Sequence, residues 1–217
     1  ALITQREGVN QYGDPADILE SGYVRVYELL GFIPKAVSNF TKNVEMLFNK
    51  KRDLLIVVGG GSLPPEMYDR PHEDELQPHR DRMEEQVIHY CVAHGIPIIA
   101  TCRGMQYINV MFGGKLRYHP DLPVERKRGV DHQVWLIKEE RNIWVNNYHD
   151  DCIFEADLAP CFEPLALDRE NGIVEAFGSD EMKILALQWH PERRFETANA
   201  YEETRKIMLN FIQKYVR

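Results

Sequence analysis

Cys102 stands where a nucleophile would be placed. It follows the run Ile96-Pro97-Ile98-Ile99-Ala100-Thr101 and precedes Arg103-Gly104-Met105-Gln106, so a β-branched strand turns into a helical run at a thiol. That layout matches the strained strand–nucleophile–helix turn by which α/β hydrolases expose an attacking side chain. Such a turn needs small flanking residues, because its φ/ψ is unusual and two backbones pass closely. Ala100 and Gly104 meet that need. The unpaired N–H groups and dipole of the helix start favour a thiolate there. A free cysteine is by default a small buried hydrophobe. Cys91, Cys152 and Cys161 lack the turn and are read as structural.

A thiol nucleophile needs a base, and His190 is the best placed of eight histidines. It follows the apolar run Leu185-Ala186-Leu187-Gln188-Trp189, and Pro191 ends that strand and fixes the loop. Glu192, two residues on, can hold one ring nitrogen and set the tautomer, which completes a nucleophile–base–orienter chain. The third element is Val57-Val58-Gly59-Gly60-Gly61-Ser62-Leu63-Pro64-Pro65. A glycine-rich loop after a parallel strand can cradle phosphate or offer backbone N–H groups to an oxyanion. No G-x-x-x-x-G-K-[ST] spacing is present and no third glycine opens a helix, so nucleotide P-loop and dinucleotide readings drop out. What remains is an oxyanion hole of Gly60 or Gly61 N–H with Arg103 N–H, against the plainer reading of a tight turn.

These groups need a scaffold that brings strand ends together. Short β-rich runs at Leu2–Gln5, Ile33–Val37, Leu54–Val58 and Ile96–Ala100 alternate with helical patterns at Ala16–Leu30, Val44–Asn49 and Arg80–His94. Alternation of this kind implies right-handed βαβ units and a parallel sheet. The second half reads as strands at Val134–Ile137, Ile143–Asn146, Glu163–Ala166, Val174–Phe177 and Ile184–Gln188, with a hairpin turn at Gly172. A final helix runs from about Ala198 to Tyr215. The expected fold is α/β: a three-layer sandwich with a central mostly parallel sheet and antiparallel additions in the C-terminal half. No linker divides it, so residues 1–217 are read as one catalytic domain.

With 217 residues, 44% hydrophobic and 28% charged, the chain has an ordinary globular composition. Its net charge of −8 argues against nucleic-acid binding. The cluster Arg126-Lys127-Arg128 is read as a solvated loop. No apolar run approaches the roughly 18 residues of a membrane span. Ala1–Arg6 lack the basic-then-apolar pattern of a signal peptide. The four cysteines form no C-x-x-C pair, so neither a disulfide framework nor structural zinc is expected. Together these features point to a reduced, cytoplasmic setting, with no membrane or nucleic-acid partner.

Taken together, the residues resemble a class I glutamine amidotransferase-type domain, and more narrowly its γ-glutamyl hydrolase branch, which contains γ-glutamyl-γ-aminobutyrate hydrolase. Gly59 to Tyr68 is similar to that branch's glycine–proline–tyrosine loop, and Arg80-Asp81-Arg82-Met83-Glu84 to its R-D-x-x-E helix start. Cys102-Arg103-Gly104-Met105-Gln106, with Asn109, Gly113 and Gly114, fits its nucleophile motif. Val145-Asn146-Asn147-Tyr148-His149 resembles a substrate-side V-N-S-x-H segment, and Gln188 to Glu192 the triad motif. Asn147 replaces the usual Ser, Asp150-Asp151 stand where His or Gln is common, and the chain is short between Tyr68 and Arg80.

The resemblance implies a fold of this flavodoxin-like kind and cleavage of a γ-glutamyl amide through a γ-glutamyl thioester on Cys102. Gln106, Asn147, Tyr148 and His149 would hold the glutamyl part. Candidate leaving groups are γ-aminobutyrate, another amine, or a phosphoramidate such as γ-glutamyl-CDP-amidate. Arg6, if it faces the site, would favour an anionic one. No cofactor and no metal is implied, and Asp150 and Asp151 are read as solvated carboxylates. A homodimer stays open. The alternative is a glutaminase subunit that delivers ammonia to a synthetase partner.

Overall fold

Leu54-Leu55-Ile56-Val57-Val58 divides its side chains between two cores. Leu55 and Val57 pack into one, and Leu54, Ile56 and Val58 into the other. Alternate residues of a strand point to opposite faces, so a strand apolar at every position must be covered on both. The computed structural model describes residues 1–48, 53–68, 76–118 and 128–216. In chain order the elements are β1 (Leu2–Ile3), β2 (Arg6–Val9), β3 (Pro15–Ile18), α1 (Ser21–Leu29), β4 (Lys35–Ala36), β5 (Leu55–Val57), α2 (Pro78–His94), β6 (Ile98–Thr101) and α3 (Arg103–Met111). There follow β7 (Arg117–Tyr118), β8 (Asp131–Leu136), β9 (Arg141–Asn146), β10 (Asp151–Cys152), β11 (Glu163–Asp168), β12 (Ile173–Ser179), β13 (Ile184–Leu187) and α4 (Ala200–Tyr215).

The main sheet has nine strands in the order β4-β1-β5-β6-β13-β12-β11-β8-β9. β4 through β13 in that order run parallel, and the rest are antiparallel. Helices α2 and α3 cover one face, with Met83, Val87, Ile88 and Cys91 of α2 in its core. α1 and α4 cover the other through Tyr23, Val26, Tyr27, Met208 and Ile212. The sheet between these two helical layers is the expected three-layer sandwich.

Registers Val57↔Ala100 and Leu187↔Thr101 set the carboxyl ends of β5, β6 and β13 side by side. The glycine loop, Cys102 and the Gln188–Glu192 segment therefore leave the sheet at one edge, where open α/β sheets bind ligands. The Gly172 turn (φ +67°) joins β11 to β12 as an antiparallel hairpin.

Three local expectations are corrected. The helix expected over Ala16–Leu30 begins only at Ser21, because Ala16 and Asp17 pair with Gly8 and Glu7 in the β2–β3 hairpin. Cross-strand hydrogen bonds outweigh helix propensity there. The first strand is correspondingly shorter than Leu2–Gln5, and Arg6 opens that hairpin. The helix expected over Val44–Asn49 is a single 3-10 turn, Val44–Leu47, and Asn49 lies outside the described residues.

Candidate active site

Cys102 caps α3 with φ 51° and ψ −109°, a left-handed backbone that an L-residue adopts at a cost. Its amide donates to Leu187 O at 2.7 Å, and its carbonyl accepts from Gln106 N at 3.0 Å, so strand and helix clamp the turn from both sides. Gly104 makes the close pass possible: a Cβ there would lie 2.5 Å from Val57 O and 2.9 Å from Val57 Cγ1. Backbone cannot swing aside as a side chain can. Gly104→Ala is therefore expected to destabilise the fold by about 1–3 kcal/mol, read as an earlier urea midpoint at unchanged slope.

His190 sits at the end of the neighbouring strand, 1% exposed. Its main chain is bracketed by Asn146, whose Nδ2 donates to His190 O at 2.9 Å and whose Oδ1 accepts from His190 N at 2.9 Å. The ring donates from Nδ1 to Glu192 Oε1 at 2.6 Å, a short charge-assisted bond. That bond leaves Nε2 for the thiol side. Imidazole and thiol flank one point: a Cβ on Gly59 would lie 2.8 Å from His190 Cε1 and 3.2 Å from Cys102 Cβ. Burial by itself pushes the imidazole down. The charges of Glu192 and Cys102, with the Glu192 hydrogen bond, outweigh it and raise His190 to about 9. Glu192 is buried too, which pushes it up, yet the His190 charge and hydrogen bond hold it below the ordinary carboxylate value.

Cys102 and His190 face a cleft of about 580 Å³ lined also by Gly60, Gly61, Arg103, Gln106, Tyr148 and His149. Gly59 N–H is taken, donating to Tyr23 Oη at 2.8 Å. Gln106 Nε2 reaches Asp151 O and Gln188 Oε1, each at 3.3 Å. The Tyr148 ring meets His190 edge-on, centroids 5.4 Å apart. His149 donates from Nδ1 to Asp151 O at 2.9 Å, and its Nε2 lies 3.7 Å from the buried Glu175.

Asn147 differs from its expected place. It is fully buried and does not line the cleft, and its Oδ1 accepts from His149 N at 3.5 Å. Arg6 does line the cleft, with Nε 3.1 Å from Glu20 Oε1, and its Cδ occupies the space a Gly60 Cβ would need. Arg128 also stands at the rim, bonded to Asp150 Oδ2 at 2.7 Å; Arg126 and Lys127 lie outside the described residues. Asp150 is thus ion-paired as well as solvated. Among the described residues no cluster of His, Cys, Asp and Glu suits a metal ion, and no helix is long and apolar enough to cross a membrane.

Sequence reasoning passed over Arg193, whose guanidinium lies 4.4 Å from the Tyr148 ring centre while Nε is 3.6 Å from Glu192 Oε1. Its signal was its place one residue after the orienting glutamate. Tyr23 carried no such signal, since nothing local links a helix tyrosine to a loop 36 residues away.

The peptidase C26 family model matches residues 2–192 of this sequence. The chain belongs to the peptidase C26 family. As a class I glutamine amidotransferase-like protein it has relatives over most of its length. It is 28% identical to YvdE of Lactococcus lactis, named as glutamine amidotransferase-like, across 87% of this chain and 86% of that one. It is 27% identical to γ-glutamyl-γ-aminobutyrate hydrolase PuuD of Escherichia coli, across 83% of this chain and 80% of that one. Among solved structures, a glutamine amidotransferase from Thermotoga maritima matches with a TM-score of 0.60 at 16% identity, over 98% of this chain and 84% of that one. The C26 segment contains Cys102, His190 and Glu192 alike, so the geometry above belongs to the family's own part of the chain.

Proposed function

We propose that this chain hydrolyses a γ-glutamyl amide through a thioester on Cys102, with a Cys102–His190–Glu192 triad. The observation that carries this reading is the meeting of a strained thiol-bearing turn with an imidazole whose Nδ1 is held by Glu192 at 2.6 Å. Cys102 Sγ attacks the γ-carbonyl carbon as a thiolate, and His190 holds the proton. The carbonyl oxygen becomes an oxyanion facing the N–H groups of Gly60 or Gly61 and Arg103. As the C–N bond breaks, His190 Nε2 gives its proton to the leaving nitrogen. Water, deprotonated by the same nitrogen, then attacks the thioester and releases glutamate and free Cys102.

Gln106, Tyr148 and His149 form the wall suited to the glutamyl end. The presence of Arg6, Arg128 and Arg193 around the cleft favours a leaving group with negative charge. A carboxylate such as that of γ-aminobutyrate or a phosphoramidate such as a γ-glutamyl nucleotide amidate fits, because guanidinium pairs planar oxyanions bidentately. The reading is tested by glutamate release from a panel of γ-glutamyl amides, glutamine included, using the chain alone. Rapid turnover of an anionic amide with little of glutamine is the expected result. The names of the Lactococcus and Thermotoga proteins favour one other reading, a glutaminase subunit. Glutamine turnover that appears only with a synthetase partner would establish that reading instead.

A further inference from the structure

Three successive carbonyls of the glycine loop converge on one buried guanidinium. Arg80, near the start of α2, is fully buried and absent from the cleft lining. Its Nη2 donates to Val58 O, and its Nη1 to Gly60 O at 2.7 Å and Gly59 O at 3.3 Å. In an extended strand successive carbonyls point to alternate sides. Here they gather on one side, which requires the left-handed φ of Gly60 (+79°) and Gly61 (+80°).

In a trans peptide the C=O of one residue and the N–H of the next share a plane and point opposite ways. The first peptide of the series behaves so, with Val58 O on Arg80 and Gly59 N–H on Tyr23 Oη. By the same geometry, grasping Gly59 O and Gly60 O turns the N–H groups of Gly60 and Gly61 away from Arg80. Gly60 and Gly61 line the cleft with Cys102. Glu84, fully buried, holds the arrangement from behind. It accepts from Arg80 Nε at 2.8 Å and Thr4 Oγ1 at 2.7 Å, and through its other oxygen from Arg103 Nη1 at 3.0 Å. Arg103 also binds Asp81 and follows the nucleophile directly. One carboxylate therefore ties the loop bearing Gly60 and Gly61 to the turn bearing Arg103.

We propose that Arg80 is a positioning residue, joined by Glu84 to Arg103, that aims the Gly60 and Gly61 N–H groups at the oxyanion formed during attack by Cys102. The inference rests on the thioester reading above. A lysine cannot replace this guanidinium fully, because its single ammonium lacks the planar fork that spans several acceptors.

The test compares Arg80→Met and Arg80→Lys with wild type in steady-state glutamate release and in the rate of Cys102 alkylation by iodoacetamide. Alkylation is a displacement at carbon that forms no oxyanion. Loss of aimed oxyanion donors should lower kcat by about 100-fold in Arg80→Met and about tenfold in Arg80→Lys. KM and the alkylation rate should stay within about threefold, since neither depends on the transition-state oxyanion. A variant that keeps wild-type kcat, or that loses alkylation and hydrolysis in parallel, overturns the inference while leaving the hydrolase reading intact. If Arg80→Met does not fold, Arg80→Lys, which keeps the buried charge opposite Glu84, decides the matter on the same measurements. A wild-type chain that turns over no γ-glutamyl amide overturns both.

Discussion

Cys102→Ala is expected to lower kcat for glutamate release by about 10⁴- to 10⁶-fold, the loss usual when a covalent nucleophile is removed and only binding and oxyanion stabilisation remain. On the proposed mechanism the thiol takes part only in the covalent steps. Substrate affinity measured by calorimetry should therefore hold within a few-fold, because ground-state contacts of the glutamyl group are untouched. The fold should hold too. Cys102 lies at the cleft surface with 8% of its area exposed, so losing its sulfur leaves no closed cavity. The left-handed backbone remains whichever small L-residue occupies it. Cys91→Ala is the informative contrast. That thiol is fully buried in the α2 core, and burial pushes it well above the ordinary thiol value, which keeps it protonated and inert. Cys91→Ala should cost stability, about 1 kcal/mol for the lost buried sulfur, and leave kcat within about twofold. Turnover of Cys102→Ala within tenfold of wild type would end the covalent reading.

That Cys102, His190 and Glu192 come together was legible in the sequence because each announces itself within a few residues. A β-branched run breaks into a helix at Cys102, an apolar strand stops at His190-Pro191, and a carboxylate follows at two residues' distance. Strand type was legible for a related reason: β5 is apolar at every position, and only a doubly covered parallel strand tolerates that. The β2–β3 hairpin was not legible. Arg6-Glu7-Gly8-Val9 and Pro15-Ala16-Asp17-Ile18 carry too few apolar residues for alternation to stand out, and Ala16 to Leu30 reads as one helix. The buried face of α2 shows a different limit. Arg80, Asp81 and Glu84 follow the spacing of an exposed, charged first turn, yet all three lie inside because their partners arrive from Thr4 just after β1, the glycine loop and α3. Burial of charge is decided by the partners that the topology brings, and local periodicity cannot encode them.

On the proposed mechanism the pH profile depends on the proton shared around His190. Its imidazole is raised to about 9 because Glu192 and Cys102 outweigh burial, so it is protonated through the neutral range. That form pairs with a thiolate and can donate to the leaving nitrogen. kcat/KM, which reports the free enzyme, is therefore expected to hold near neutrality and to fall as pH rises through about 9. Glu192→Gln removes the charge that contributes most to the rise, while burial continues to push downward. The alkaline limb should then move toward lower pH by at least about one unit, with kcat at pH 7 lowered about 10²- to 10⁴-fold, as when a triad's orienting carboxylate is neutralised. Stability supplies an independent reading of the same proton. A folded-state value above the unfolded one stabilises fully below the unfolded value of 6.5, and that contribution is lost as pH climbs through the folded value of about 9. Wild-type unfolding free energy should decline across that window, and Glu192→Gln should decline less. An alkaline limb that stays near pH 9 in Glu192→Gln would mean that the proton belongs to another group, and the assignment of His190 as the acid–base residue would fall.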